Sequence, residues 1–243
     1  MTEYWRYREP YLPRFFAQAA EEMRLCRNHR VLDIACGTGA VAFGFAPFVG
    51  AITGVDVDEQ ALDVARSEAI RNNIEIALVH MGIENLQDHG APFDVATIGR
   101  ALAYLPREPT LARLDRLVSG HGKVFICGSS TEDKRSGPWA KPFRDAGRRW
   151  GRRREPAPSG RTFMTGSAFT FEKLVVARKT RRVSVDDLLL RALAYSMLTP
   201  EALASSRDEY LEDVRSAIAP HSVDGMVSET ILSTGSIFRR TIS

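Results

Sequence analysis

The segment Val31-Leu32-Asp33-Ile34-Ala35-Cys36-Gly37-Thr38-Gly39-Ala40-Val41-Ala42 constrains this chain more than any other. VLDIA is an apolar run of the buried-strand type, CGTG is a glycine-rich turn, and AVAFGFAPF is a run of small and apolar residues that reads as a helix. Strand, tight turn and helix in that order build a nucleotide-type pocket at the carboxyl edge of a parallel sheet. Gly37 and Gly39 have no Cβ, so the backbone turns sharply and a ligand can reach contact distance. Ala42 keeps the helix close to the strand. The spacing Gly37-x-Gly39-x-x-Ala42 also fits a dinucleotide fingerprint.

Asp33 separates the two ligand classes. A carboxylate at the end of a buried strand is costly unless something pairs with it. A pyrophosphate at this turn would be repelled; a ligand with an ammonium and a sulfonium and no phosphate would be attracted. Asp33-x-x-x-Gly37-x-Gly39 resembles motif I of the class I S-adenosylmethionine (SAM)-dependent methyltransferases. The resemblance implies SAM as cofactor, S-adenosylhomocysteine as product and a turn, Ala35 to Gly39, against the cofactor. A turn with no ligand and a dinucleotide-dependent oxidoreductase are the rival readings at this point.

The stretches that follow extend the pattern. AITGVDV reads as a second strand ending at Asp56, about twenty residues past the turn, where an acid accepts both ribose hydroxyls. Asp58 is the N-cap of a helix over 58–72 with Ala61, Leu62, Ala65 and Ala69 inward. Val57 is placed against the adenine. Ile74 to Val79 reads as the third strand. The next loop, HMGIENL, resembles the family's adenine loop, but Gly82 stands where its acid usually does. Adenine recognition is therefore expected from backbone groups of Gly82 and Ile83. PFDVATI is the fourth strand, and Gly99, Arg100 and Ala101 after it border the methionine end of the cofactor. Similar sequences carry a His-Trp pair in this loop; here Ala103 and Tyr104 stand there, so no histidine base is carried over and no catalytic residue is named. Ser119-Gly120-His121-Gly122 reads as a turn before a fifth strand, Lys123 to Cys127.

The flanks are less specific. Residues 1–30 form an N-terminal helical segment with Phe15, Phe16, Ala19, Ala20 and Met23 on one face. Tyr11, beside two prolines, either packs on the sheet or, as the resemblance implies, closes over the methionine end. Residues 129–170 are rich in Gly, Pro, Ser and Arg and include Trp139, Phe143 and Trp150. Arg148, Arg149, Arg152, Arg153 and Arg154 form a basic cluster with three open readings: a solvated helix face, attraction of an anionic acceptor, or contact with a phosphate backbone. FEKLVVARKTRRVS is the sixth strand and VDDLLLRALAYSMLT a helix. Thr199-Pro200-Glu201 starts another helix, carrying Leu203, Tyr210, Leu211, Val214 and Ile218. DGMVSETILSTGSIFRRT is the seventh strand. Seven strands with the turn after the first resemble the class I methyltransferase sheet, and the resemblance implies an α/β fold: a Rossmann-like seven-stranded sheet of order 3-2-1-4-5-7-6, last strand antiparallel, with helices on both faces. A single domain spans 1–243, with a helical cap from 129–170 and 185–220 roofing the acceptor; Tyr104, Trp139 and Tyr195 are its pocket candidates.

Composition narrows the setting. A 44% hydrophobic content supports a large core. No apolar run approaches the roughly 20 residues that span a bilayer, and the N-terminus lacks an apolar leader. Cys26, Cys36 and Cys127 show no disulfide or metal spacing, and the five histidines are isolated. A net charge of +3 does not by itself call for nucleic acid. The expectation is a cytoplasmic, metal-free, monomeric or homodimeric enzyme that methylates a small-molecule oxygen, nitrogen or carbon. The alternatives are an RNA or protein methyltransferase using the arginine cluster, and a non-catalytic SAM-binding protein.

Overall fold

The computed structural model describes residues 2–87, 90–151, 157–195, 204 and 206–241. In chain order they form α1 (Pro13–Met23), β1 (Arg30–Ile34), α2 (Ala40–Phe45), β2 (Ala51–Asp56), α3 (Glu59–Arg71), β3 (Ala77–His80), β4 (Phe93–Gly99), α4 (Arg107–Leu117), β5 (Val118–Thr131), α5 (Asp133–Ser136), α6 (Ala140–Trp150), α7 (Gly160–Met164), β6 (Phe169–Ser184), α8 (Val185–Leu193), α9 (Arg207–Ile218) and β7 (Met226–Arg240). Among the described residues the strands make one seven-stranded mixed sheet of order β3-β2-β1-β4-β5-β7-β6. The pairs β1–β2, β1–β4, β2–β3 and β4–β5 are parallel. β1 lies at the centre because Val31, Leu32 and Ile34 are apolar on both faces, as a strand covered on both sides requires.

The chain divides into two compact units. The larger takes 11–128, 156–177 and 233–243. Leu32, Ile34, Ala96, Ile98, Val124 and Phe238 are central to one of its cores. Phe15, Phe16, Phe45 and Phe125 form an aromatic cluster in the same unit, with centroids 5.1–5.6 Å apart, edge-to-face except for the tilted Phe15–Phe125 pair. α3 begins where the sequence places it: the Asp58 side chain accepts the Ala61 N–H at 3.1 Å.

The smaller unit takes 1–10, 129–155 and 178–232. Residues 1–10 thus join the region expected to be a cap, and 156–177 belong to the larger unit. The core of the smaller unit packs Tyr4, Trp139, Phe143, Leu188, Leu193 and Tyr210. Inside it Arg191, 1% exposed, pairs through both terminal nitrogens with Glu229, 0% exposed, and its Nε donates to the Tyr7 carbonyl at 2.8 Å.

Three local readings need correction. β3 starts at Ala77, three residues later than the apolar run suggested. The segment 119–122 is not a turn before β5 but lies within it as an irregularity: Phe93 pairs with Val118, whereas Val95 pairs with Lys123. The final helix begins at Arg207, and residues 204 and 206 are turns. Thr199, Pro200, Glu201 and Leu203 lie outside the described residues, as do Arg152, Arg153 and Arg154.

Candidate functional site

The carboxyl ends of β1, β2 and β4, with Cys127 of β5 beside β4, meet at a strained backbone. Ala35 (φ 52°), Gly37 (φ 54°) and Gly39 (φ 83°) are left-handed after β1, and Arg100 (φ 58°) is left-handed after β4. Left-handed alanine and arginine cost about 1–3 kcal/mol each and collect where structure serves a ligand. A Cβ on Gly39 would stand 2.6 Å from the Phe43 ring, so the turn tolerates no side chain there. The bend is held by Cys36 N–H on the Val55 carbonyl at 3.1 Å and Gly39 N–H on the Cys36 carbonyl at 2.9 Å.

Asp56, the last residue of β2, places Oδ2 2.6 Å from the Gly37 N–H and Oδ1 2.9 Å from the Asp58 N–H. It is half-buried beside the turn, and Val57 next to it is 69% exposed. Across from Asp56 in the register stands His80, whose Nδ1 is 2.6 Å from Glu59. The loop after β3 runs through Gly82 and the buried Ile83. A Cβ on Gly82 would lie 2.2 Å from Glu84 Oε1. The Glu84 carboxylate therefore fills the space over Gly82, a feature the Gly82 alignment gave no reason to expect.

Asp33 is 1% exposed and does not line an open surface. Thr97 Oγ1 donates to its Oδ1 at 2.7 Å and the Ala42 N–H to its Oδ2 at 3.0 Å. Burial pushes its carboxyl up to about 7, against those two hydrogen bonds and with help from the Asp56 charge. The partner that a buried carboxylate needs is thus supplied first by the protein, and the charge of Asp33 acts from beneath the turn. A buried threonine in an apolar strand was the sequence signal for Thr97, and the strand register was needed to read it.

At the end of β4, Gly99 pairs with Cys127 of β5, and the Cys127 carbonyl accepts the Arg100 N–H at 3.0 Å. The Tyr11 hydroxyl donates to the same carbonyl at 3.5 Å, and the Arg100 guanidinium lies 4.9 Å from the Tyr11 ring centre. A Cβ on Gly99 would come 2.5 Å from Val41 and 3.1 Å from the Tyr11 hydroxyl. Burial raises the Tyr11 phenol well above its ordinary value. Ala101 is buried next to Arg100. Tyr11, Asp33, Ala35, Cys36, Gly37, Gly39, Asp56, Gly99, Arg100 and Ala101 all belong to the larger unit, with Val57, Gly82 and Ile83 on its neighbouring loops.

The acceptor candidates fare differently. Tyr104 is 54% exposed, on the larger unit. Trp139 is 2% exposed in the core of the smaller unit, and its Nε1 donates to the Ser228 carbonyl at 2.7 Å. The Tyr195 hydroxyl in that unit donates to Glu9 Oε1 at 2.8 Å, and its ring packs near Phe143. Among the described arginines of the basic cluster, Arg149 forks onto Asp213 at 2.7–3.2 Å and Arg148 pairs with Asp145 at 3.4 Å. Asp213 also accepts the Trp150 indole N–H at 2.8 Å. Among the described residues no group of three or more His, Cys, Asp or Glu could hold a metal, and no helix is long and apolar enough to cross a membrane.

Residues 31–122 match the family model described as a methyltransferase domain. Over 102 residues the chain is 37% identical to the ubiquinone biosynthesis O-methyltransferase of Alkalilimnicola ehrlichii; that match spans 41% of this chain and 41% of the relative. The whole fold is similar to that of the YcgJ protein from Bacillus subtilis (17% identity, 95% of this chain and 99% of that one, TM-score 0.61). It is also similar to the [4+2]-cyclase SpnF (16% identity, 95% of this chain and 81% of that one, TM-score 0.56).

Proposed function

We propose that this chain, which over residues 31–122 belongs to the class I methyltransferase family, moves a methyl group from SAM to a small-molecule acceptor. The observation that carries the reading is the pairing of Asp56 with the Gly37 N–H inside the matched segment. It puts a two-oxygen acceptor at the lip of a backbone turn that accommodates no side chain at Gly39. The cradle fits the cofactor's chemistry: an acid for two vicinal hydroxyls, glycines for close approach and buried negative charge for a cation.

In this reading Asp56 holds the ribose, and the exposed Val57 covers one adenine face. Gly82 and Ile83 offer backbone groups to the adenine edge, and Glu84 supplies the carboxylate that residue 82 lacks. Gly99, Arg100, Ala101 and Tyr11 hold the methionine end, Arg100 serving its carboxylate. When bound, SAM supplies an electrophilic methyl on a sulfonium, ready for in-line transfer without a metal. The protein's part is positioning and exclusion of water, which contribute about 7–11 kcal/mol for well-aligned reactants. An already nucleophilic acceptor needs no dedicated base.

The relative's name makes an oxygen acceptor the first to test. The pairing of Arg148 and Arg149 with acids leaves the described part of the basic cluster little excess charge for RNA. Calorimetry with SAM and with NAD(H), followed by transfer of tritiated methyl to hydroxylated small molecules and to RNA, tests the proposal. SAM binding with methylation of a small molecule supports it. Tight SAM binding with no transfer to any acceptor leaves a SAM-binding protein, and NAD(H) binding in its place overturns it.

A further inference from the structure

Asp33 and Thr97 are paired residues in the parallel register of β1 and β4, and both are buried. The Thr97 hydroxyl has two acceptors within reach, Asp33 Oδ1 at 2.7 Å and the Leu32 carbonyl at 3.5 Å. Its strand neighbours Val95, Ala96 and Ile98 are apolar and buried, so a valine would fill much the same volume and the hydroxyl is what sets residue 97 apart.

The geometry points to Thr97 as a positioning residue of the cofactor site: its hydroxyl holds the Asp33 carboxylate charged beneath the glycine turn, and swings to the Leu32 carbonyl when Asp33 takes a proton. The proposal rests on the SAM reading above. A hydrogen bond to an ionised acceptor is about twice as strong as one to a neutral group, so the hydroxyl favours the charged form. That form is the one that attracts a cationic ligand.

The surroundings make the switch relevant near neutrality. Burial brings Asp33 up to about 7, while Thr97 and the Ala42 N–H pull it down and Asp56, at the end of β2, pushes it up. Tyr11, ahead of α1, and the Cys36 and Cys127 thiols also feel the Asp33 charge. All three are pushed upward mainly by burial, so they stay neutral through the window in which Asp33 titrates. Arg100, at the end of β4, pulls both Tyr11 and Cys127 downward. That the Asp33 charge registers at Tyr11 and Cys36 places its field on the groups assigned to the cofactor.

The experiment measures SAM dissociation constants by calorimetry from pH 5.5 to 9 for wild type, Thr97→Val, Thr97→Ser and Asp33→Asn. Wild-type affinity should rise about ten-fold through a midpoint near pH 7. Thr97→Val should move that midpoint up by about one pH unit, Thr97→Ser should restore it, and Asp33→Asn should lack the rise. If Thr97→Val weakens SAM by one factor at every pH, or keeps the wild-type midpoint, the threonine only packs and the proposal fails. Carboxyl ¹³C NMR of Asp33 in the protein without SAM reads the same midpoint. A midpoint displaced there by Thr97→Val, with no variant binding SAM, would keep the Thr97–Asp33 coupling and remove the methyl-donor reading instead. Should the valine variant not fold, Thr97→Ala deletes the same hydroxyl and is read the same way.

Discussion

The Asp56 carboxylate of β2 accepts the backbone N–H of Gly37, the first glycine after β1, at 2.6 Å. Its other oxygen accepts the Asp58 N–H at 2.9 Å, so one side chain ties the turn to the start of α3 and keeps a second lone pair on each oxygen for a ligand. Asp56→Ala should weaken SAM binding by roughly 1.5–3 kcal/mol, the worth of hydrogen bonds to a charged group. Asp56→Asn, which keeps one acceptor, should lose less. Calorimetry decides, and an unchanged dissociation constant in Asp56→Ala would remove the ribose assignment.

Gly99 lies between Tyr11 and Val41 of α2. Gly99→Ala would press a methyl into Val41 at 2.5 Å and the Tyr11 hydroxyl at 3.1 Å. Overpacking of this kind costs about 1–3 kcal/mol. Both the melting temperature and SAM affinity should fall. Gly120→Ala, with no atom within 4 Å of the new methyl, should change neither. Equal behaviour of the two variants in a melting assay would deny Gly99 its role.

Asp33 gives stability without SAM a pH dependence of defined sign. Its folded value, about 7, lies above the ordinary 3.8, so the native state binds the extra proton between those values. Its contribution is complete below about pH 4 and is lost as pH rises through 7. Three pH units correspond to about 4 kcal/mol as an upper order of magnitude. Relative to Asp33→Asn, wild type should thus lose stability between pH 5 and 8 in urea unfolding. Glu229 and Asp213 are shifted downward, so their losses come at acid pH, outside this window. Parallel curves for wild type and variant would contradict the assignment.

In the smaller unit, Glu229 is held by Arg191 and by Arg181 Nε at 2.9 Å, and Thr131 donates to it at 2.7 Å. Removing one charge from a buried pair costs up to about 3–5 kcal/mol, and here Glu9, 4.0 Å from Arg191, offsets part of that loss. Glu229→Gln should show that loss in chemical denaturation. Tyr195→Phe, which deletes one hydrogen bond to the Glu9 carboxylate, should lose less, about 1.5–3 kcal/mol. Similar losses for both would mean that the ion pair is not the stronger tie.

The turn 35–39, the strand ending at Asp56 and the N-cap at Asp58 were legible in the sequence, because each is written in local chemistry; the strand order followed only from the family resemblance that the turn carries. Apolar runs specify strands, glycines specify left-handed turns, and an acid before a helix caps it. The 119–122 irregularity was hidden because a glycine-rich string reads alike as a turn or a bulge until a neighbouring strand counts its residues. The burial of Trp139 and the Tyr195–Glu9 hydrogen bond were not legible either, because nothing in a single chain says which side of a helix or strand is inside.

What the sequence determined alone was the order of elements and the chemistry gathered at the carboxyl edge of the sheet. Tertiary structure decided which charges are buried and with what partners. It set Asp33 against Thr97, folded Glu84 over Gly82, and closed Arg191 onto Glu229. These are distances between residues 2 to 64 positions apart, set by register and packing, and no local pattern encodes them.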